Sequence, residues 1–107
     1  MQLNCLERIV TLQLLANYKE GSFLTFKTLA ELRSKLGFTE EEITNFELKE
    51  TDGNYTWNLK GSETTKIEIS ESEQKLIKTQ LEILDKEEKL TPIHLSLYEK
   101  AFETNNN

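Results

Sequence analysis

The sequence predicts a single α+β domain, in which N-terminal helices are followed by a small three-stranded antiparallel sheet and two C-terminal helices. Its length of 107 residues allows one domain. Apolar residues recur at helical spacing near both ends, and they alternate with polar residues between positions 46 and 69. Capping signals separate these segments. We therefore expect residues 1–103 to form the domain and residues 104–107 to be a disordered tail.

The first predicted helix covers residues 3–18. Its polar residues share one face of a helical wheel: Asn4, Glu7, Arg8 and Thr11. Near its end, Leu14, Leu15 and Tyr18 extend the apolar surface onto the polar side. A helix that is apolar most of the way round is buried on both flanks, either at the centre of the domain or in a subunit interface. We therefore expect Leu14, Leu15 and Tyr18 to be the contact residues of a homodimer, if the chain forms one.

Two shorter helices are expected before the sheet. Thr25 is the expected N-cap of a helix over residues 26–36, and Gly37 after it can adopt a left-handed C-cap conformation. Thr39 and Glu42 then have the spacing of a capping box, which predicts the start of a third helix.

The sheet is predicted where the apolar period changes to two. Three short half-buried strands are expected, at residues 46–49, 55–60 and 66–69. Asp52-Gly53 lies between the first two and is a strong hairpin signal. We expect one antiparallel meander with its apolar face packed on the helices and with Trp57 in the core.

Two helices complete the predicted domain. Ser70 and Glu73 have capping-box spacing and open a helix at about residues 71–88. Its core stripe is Leu76, Ile77, Leu81 and Leu84. Thr91-Pro92 starts the last helix, with threonine as N-cap and proline in the first helical position.

Charge and composition exclude several classes of protein. Thirteen basic and nineteen acidic residues give a net charge of −6, which disfavours nonspecific binding to phosphate groups. The apolar runs are too short for a membrane-spanning helix, and the first residues lack the pattern of a signal peptide. A single cysteine excludes an internal disulfide. We therefore expect an acidic cytoplasmic protein with no membrane partner.

Few residues are suited to catalysis. Cys5 is expected to be a buried inert thiol, and His94 a satisfied or solvent-facing side chain in the first turn of the last helix. No second histidine or cysteine exists to complete a zinc site, and the four glycines are isolated, so there is no phosphate-binding loop. We predict a non-enzymatic protein with no cofactor, no metal site and no small-molecule substrate.

The acidic run Glu40, Glu41 and Glu42 has two interpretations. These residues fall in the first turn of a helix, where the helix dipole favours negative charge. Alternatively, the segment 40–52 is an acidic patch that contacts a basic host protein. The protein would then be an inhibitor that mimics the charge of nucleic acid.

A DNA-binding role is a further alternative. The order of three helices and a hairpin superficially matches a winged helix, in which residues 40–45 would lie near or in the recognition helix. Three glutamates at the end that approaches phosphates would repel DNA, so nucleic acid is an unfavoured partner.

Two stretches of the chain are similar to a known group of proteins. The first comprises Leu14-Leu15, Gly21-Ser22-Phe23-Leu24-Thr25, Leu29-Ala30-Glu31-Leu32-Arg33 and Phe38-Thr39-Glu40-Glu41-Glu42-Ile43. The second comprises Ile67-Glu68-Ile69, Leu84-Asp85-Lys86-Glu87-Glu88-Lys89-Leu90-Thr91 and His94-Leu95-Ser96-Leu97-Tyr98-Glu99-Lys100-Ala101-Phe102. Together they resemble small proteins encoded by phages and prophages of Gram-positive bacteria, although Ala101 is inserted before Phe102 here.

The resemblance covers most of residues 9–102, and its motifs are mainly caps and core stripes. It implies a small accessory protein that acts in the cytoplasm of a bacterial host cell. The group has no established activity, so no catalytic residue is carried over. The expected function is a phage-type accessory role exerted through protein–protein interaction, with a host protein or with a second copy of the chain.

Overall fold

The computed structural model describes residues 1–103, so the tail predicted for residues 104–107 lies outside the described residues. The described chain confirms the α+β class. Its helices are α1 (Cys5–Leu15), α2 (Phe23–Leu36), α3 (Glu40–Phe46), α4 (Glu71–Lys86) and α5 (Leu95–Glu103). Its strands are β1 (Gln2–Leu3), β2 (Lys49–Thr51), β3 (Asn54–Thr56) and β4 (Thr65–Lys66).

Two separate pairs of strands replace the predicted three-stranded sheet. β2 and β3 form a hairpin with Glu50 opposite Tyr55, and Asp52 and Gly53 both have positive φ in its turn (53° and 82°). β4 pairs antiparallel with β1 at the N-terminus. The meander prediction is wrong because a 3₁₀ turn at Leu59–Ser62 separates the hairpin from β4. A two-residue strand such as β1 is also too short to show a period of two.

The hairpin lies outside the core. All six residues of β2 and β3 are exposed, so the predicted half-burial of these strands is wrong. Trp57 is half-buried rather than part of the core, and its ring packs against Gly61. The backbone N–H of Asn58 donates to the carbonyl oxygen of Phe46 at 2.8 Å, which ties the end of the hairpin to α3.

α1 lies at the centre of the core, in contact with α2, α4 and α5. Twelve buried side chains make up this core: Leu3, Val10, Leu14, Leu15, Leu29, Leu32, Leu36, Ile67, Ile77, Leu81, Leu97 and Ala101. The buried part of the predicted α4 stripe, Ile77 and Leu81, is confirmed. Of the two positions that the sequence allowed for the first helix, the central one is observed.

Capping residues set the helix boundaries. The predicted capping boxes at residues 39–42 and 70–73 begin α3 and α4. α2 begins earlier than expected, because Ser22 rather than Thr25 is its N-cap and accepts a hydrogen bond from the Thr25 backbone N–H. Gly37 is extended (φ −62°), so the predicted left-handed C-cap is wrong.

Candidate functional site

The structure separates the residues predicted for a homodimer contact. Leu14 and Leu15 are 4% and 0% exposed, so they pack inside the domain and offer no surface to a partner. Tyr18 is half-buried, and its hydroxyl donates to the carbonyl oxygen of Leu76 at 2.7 Å. The predicted interface is therefore corrected, because the apolar surplus of α1 is covered by the chain's own helices.

The acidic run is also divided between two roles. Glu42 binds Arg8, with one carboxylate oxygen 2.8 Å from Nη1 and the other 3.2 Å from Nη2. Glu40 and Glu41 are exposed on the first turn of α3. Only these two of the three predicted glutamates are therefore open to a partner.

The polar face of α1 is buried, and it joins the helices through ion pairs. Glu7 and Arg8 are 1% and 3% exposed. Lys100 on α5 lies 2.8 Å from the Glu7 carboxylate. A third such pair joins Lys35 on α2 to Glu73 on α4 at 2.8 Å. These charged residues therefore serve the fold.

All three glutamates in these ion pairs have lowered pKa values. Burial disfavours the charged form of Glu7 and of Glu73, but hydrogen bonds from Lys100 and Lys35 and from backbone N–H groups outweigh it, so both pKa values are lowered. For Glu42, the hydrogen bonds from Arg8 are the main cause of the lowered pKa. The three carboxylates are therefore held in their charged form.

Cys5 and His94, the two residues considered for catalysis, are held by burial and by local hydrogen bonds respectively. Cys5 is 1% exposed, and burial raises the pKa of its thiol, as expected for an inert side chain. His94 Nδ1 accepts a hydrogen bond from the Thr91 backbone N–H at 3.0 Å. Among residues 1–103, no three His, Cys, Asp or Glu side chains form a cluster that could hold a metal ion.

The site that the sequence did not predict is an apolar cavity of about 280 Å³ beside α1. It is lined by Ile9, Leu12, Gln13, Ala16, Phe38 and Tyr55. Ile9, Leu12 and Gln13 of α1 and Ala16 directly after it have the spacing i, i+3, i+4 and i+7, so they form a stripe on one side of the helix. Phe38 and Tyr55 complete the lining, and the cavity opens to solvent. Ile9 is 7% exposed and Leu12 is half-buried, whereas Gln13 and Ala16 are exposed.

Different elements position the two aromatic residues. Phe38 lies between α2 and α3, and the Arg8 guanidinium stacks 4.0 Å from its ring centroid. Arg8 is itself held by the carbonyl oxygens of Leu36 and Gly37, at 3.1 and 2.6 Å. Tyr55 comes from the β2–β3 hairpin and is 41% exposed. The cavity therefore depends on Arg8 and on the hairpin.

An acidic residue lies next to Tyr55, at the hairpin side of the cavity. Glu50 lies directly opposite Tyr55 in the hairpin, so both side chains are on the same face of it. Five carboxylates of residues 39–63 are exposed and form no ion pair or side-chain hydrogen bond with another described residue: Glu40, Glu41, Glu50, Asp52 and Glu63.

A second, larger groove of about 520 Å³ lies between α2 and α4. Tyr18, Leu24 and Leu76 line it, but hydroxyl and charged side chains make up much of the rest. Its apolar residues are diluted by these polar groups, whereas five of the six residues of the α1 cavity are apolar or aromatic. The α1 cavity is therefore the stronger candidate for binding another molecule.

One signal in the sequence could have found this cavity. Ile9, Leu12 and Ala16 are apolar residues at helical spacing within the first predicted helix, so the sequence contains the apolar stripe. The structure leaves Leu12 half-buried and Ala16 exposed. The cavity itself could not be predicted, because it depends on where the hairpin and Phe38 lie.

Comparison with known proteins finds no matching family model, no similar curated protein and no similar solved structure. The resemblance to phage-encoded proteins therefore stays a prediction. Within the described part of the chain, no helix has both the length and the apolar character needed to cross a membrane.

Proposed function

We propose that this chain is a non-enzymatic interaction protein, and that the α1 cavity is the surface by which it binds another protein. The observation that carries the proposal is an apolar cavity that opens to solvent, lined by the buried Ile9, the half-buried Leu12 and Phe38, and the exposed Ala16 and Tyr55. A cavity with a largely apolar lining and few polar groups is typical of a binding site. Aromatic residues are enriched at such surfaces.

The side chains around the cavity support binding rather than catalysis. Apart from the phenol of Tyr55, the described residues that line it include no acid, base or nucleophile. General acid–base and covalent catalysis normally need more than one such group within hydrogen-bond reach of a substrate. A largely apolar lining, with one amide from Gln13 and one phenol from Tyr55, fits the recognition of an apolar side chain.

The accessory role in phage growth and the bacterial cytoplasm remain parts of this proposal that rest on the sequence resemblance. The DNA-binding alternative is weaker, because Glu40 and Glu41 are exposed at the start of α3 and would meet phosphates there. α3 is also only seven residues long, which leaves about two turns for a groove.

Site-specific photo-crosslinking tests the proposal. A benzophenone amino acid at Ala16, in the cavity, is compared with the same group at Asn17, which is exposed but does not line the cavity. In a lysate of the cells that naturally express the gene, we expect a discrete protein adduct at position 16 and none at position 17. A folded protein that gives no adduct at position 16, or equal adducts at both, would contradict the proposal.

A further inference from the structure

We propose that the partner is a basic amphipathic helix of another protein, which places apolar side chains in the α1 cavity and lysine or arginine side chains against the acidic residues beside it. This inference rests on the proposed function and names the chemistry of the partner. It is carried by two observations together, the shape of the apolar stripe and the position of the unpaired carboxylates.

The shape of the cavity fits side chains from a helix. From Ile9 to Ala16 its lining runs along two turns of α1, a length of about 10 Å. Its volume of about 280 Å³ is enough for one or two apolar side chains, which a helix lying along the cavity presents at intervals of three and four residues, as in helix-in-groove recognition. The exposed Tyr55 and the half-buried Phe38 would contact those side chains.

The charges favour a basic partner. Glu50 shares a hairpin face with Tyr55, and Glu40 and Glu41 follow Phe38 by two and three residues. Lys49 alternates with Glu50 along β2, so its side chain lies on the opposite face of the hairpin. Glu50, which has no ion pair of its own, thus lies beside a residue that lines the cavity, and cations on a partner would complement it and the net negative charge of the chain.

The same charges disfavour a second copy as the occupant. A two-fold dimer would bring each cavity against its equivalent, and with it the unpaired carboxylates of both chains. The net charge of −6 on each chain adds to this repulsion. A partner of opposite charge avoids both costs.

Peptide binding tests the inference. Three labelled helical peptides of one length are compared by fluorescence anisotropy with the full chain: one with a leucine stripe on a lysine background, one with the same stripe on a glutamate background, and one with the first composition scrambled. We expect the basic striped peptide to bind about tenfold more tightly than either of the others. Its affinity should fall as salt is raised from low to physiological concentration, since exposed charges are screened.

Variants of the chain localise the binding. Glu50→Lys should lower the affinity for the basic striped peptide by about threefold to tenfold. The matched control Glu99→Lys makes the same charge change on α5, away from the cavity, and should change the affinity by less than about twofold. Ala16→Arg should abolish binding, because its side chain fills the cavity. Circular dichroism confirms that each variant is folded.

Several outcomes overturn the inference. Equal binding of the basic and acidic striped peptides, abolished by Ala16→Arg, would reject a basic partner while leaving the cavity as a docking site. Equal binding of the scrambled peptide would reject the helical stripe. A concentration-dependent dimer that Ala16→Arg dissociates would assign the cavity to a second copy. Binding of none of the peptides, with no crosslink at position 16, would reject the proposed function as well.

Discussion

Arg8 is the residue on which most local contacts converge. Its guanidinium donates to the backbone at the end of α2, binds the carboxylate of Glu42 and stacks on Phe38. A charge that is 3% exposed needs such partners, and the Arg8 guanidinium makes four hydrogen bonds to Leu36, Gly37 and Glu42. Arg8 therefore links α1 to the start of α3 and also fixes one wall of the cavity.

Replacing Arg8 tests this role. Arg8→Ala should lower the free energy of unfolding by about 3–5 kcal/mol, because it removes the cation that pairs with the partly buried Glu42 carboxylate and the donor to two carbonyl oxygens. Arg33→Ala is the matched control, since Arg33 is exposed and, among the described residues, donates only to the Leu15 carbonyl oxygen. This variant should lose about 1 kcal/mol of unfolding free energy. Urea denaturation measures both. Equal losses for the two variants would contradict the role given to Arg8.

Residue 61 must be glycine because there is no room for a side chain, not because of its backbone conformation. A Cβ atom at this position would overlap the Trp57 ring, lying 2.9 Å from Cγ and closer still to Cδ1. Gly61 itself is buried beneath that ring. The indole can therefore pack over the 3₁₀ turn only while residue 61 has no side chain.

Gly61→Ala should consequently displace the indole. We expect a loss of about 1–3 kcal/mol in unfolding free energy and a red shift of the single tryptophan's emission, as the ring becomes more exposed. Gly37→Ala is the control, because its φ of −62° suits alanine and its nearest contact would be 3.4 Å. That variant should be neutral or slightly more stable. An unshifted emission maximum in Gly61→Ala would show that the contact is unimportant.

Between the elements, three capping boxes do two tasks at once. Glu7, Glu42 and Glu73 each close the first turn of a helix by accepting from the N-cap backbone. Each also binds a cation from another helix, which joins α1 to α5, α1 to α3, and α2 to α4. One type of residue thus both starts helices and fixes their packing.

These carboxylates make stability depend on pH in a defined direction. Their folded-state pKa values lie below the ordinary value of about 4.3 for glutamate, so their stabilisation is complete above that pH. It is lost as the pH falls through the folded-state pKa values. We expect the unfolding free energy to decrease between about pH 5 and pH 3.

Glu73→Gln tests this origin of the pH dependence. The variant should lose about 1–3 kcal/mol of unfolding free energy at pH 7. On acidification, its unfolding free energy should decrease less than that of the wild type. Glu71→Gln, exposed in the same first turn of α4, should keep the wild-type slope. A Glu73→Gln protein with the wild-type slope would exclude Glu73 as a contributor.

At this scale, features formed by residues close together in the sequence could be predicted, whereas contacts between distant residues could not. The capping boxes at residues 39–42 and 70–73 need only four residues, and both are confirmed. The pairing of β1 with β4 joins residues more than sixty positions apart, and no local pattern encodes it. The burial of Glu7 was missed for the same reason, since its cation, Lys100, lies 93 residues away.

For the whole molecule, the apolar residues that stabilise the fold and those proposed to bind a partner lie in different places. Leu14 and Leu15, which the sequence assigned to an interface, belong to the core. The apolar cavity beside α1 lies instead next to the hairpin, where Tyr55 lines it and Glu50 stands opposite Tyr55. Composition indicated an acidic protein, but only the fold places these charges next to an apolar cavity.

The location of binding is the most direct test of this account. Backbone amide chemical shifts of the ¹⁵N-labelled chain are followed by NMR as the basic striped peptide is added. We expect the largest changes on residues 9–16, Phe38 and Tyr55. Largest changes at Leu24 and Leu76, in the groove between α2 and α4, would contradict it.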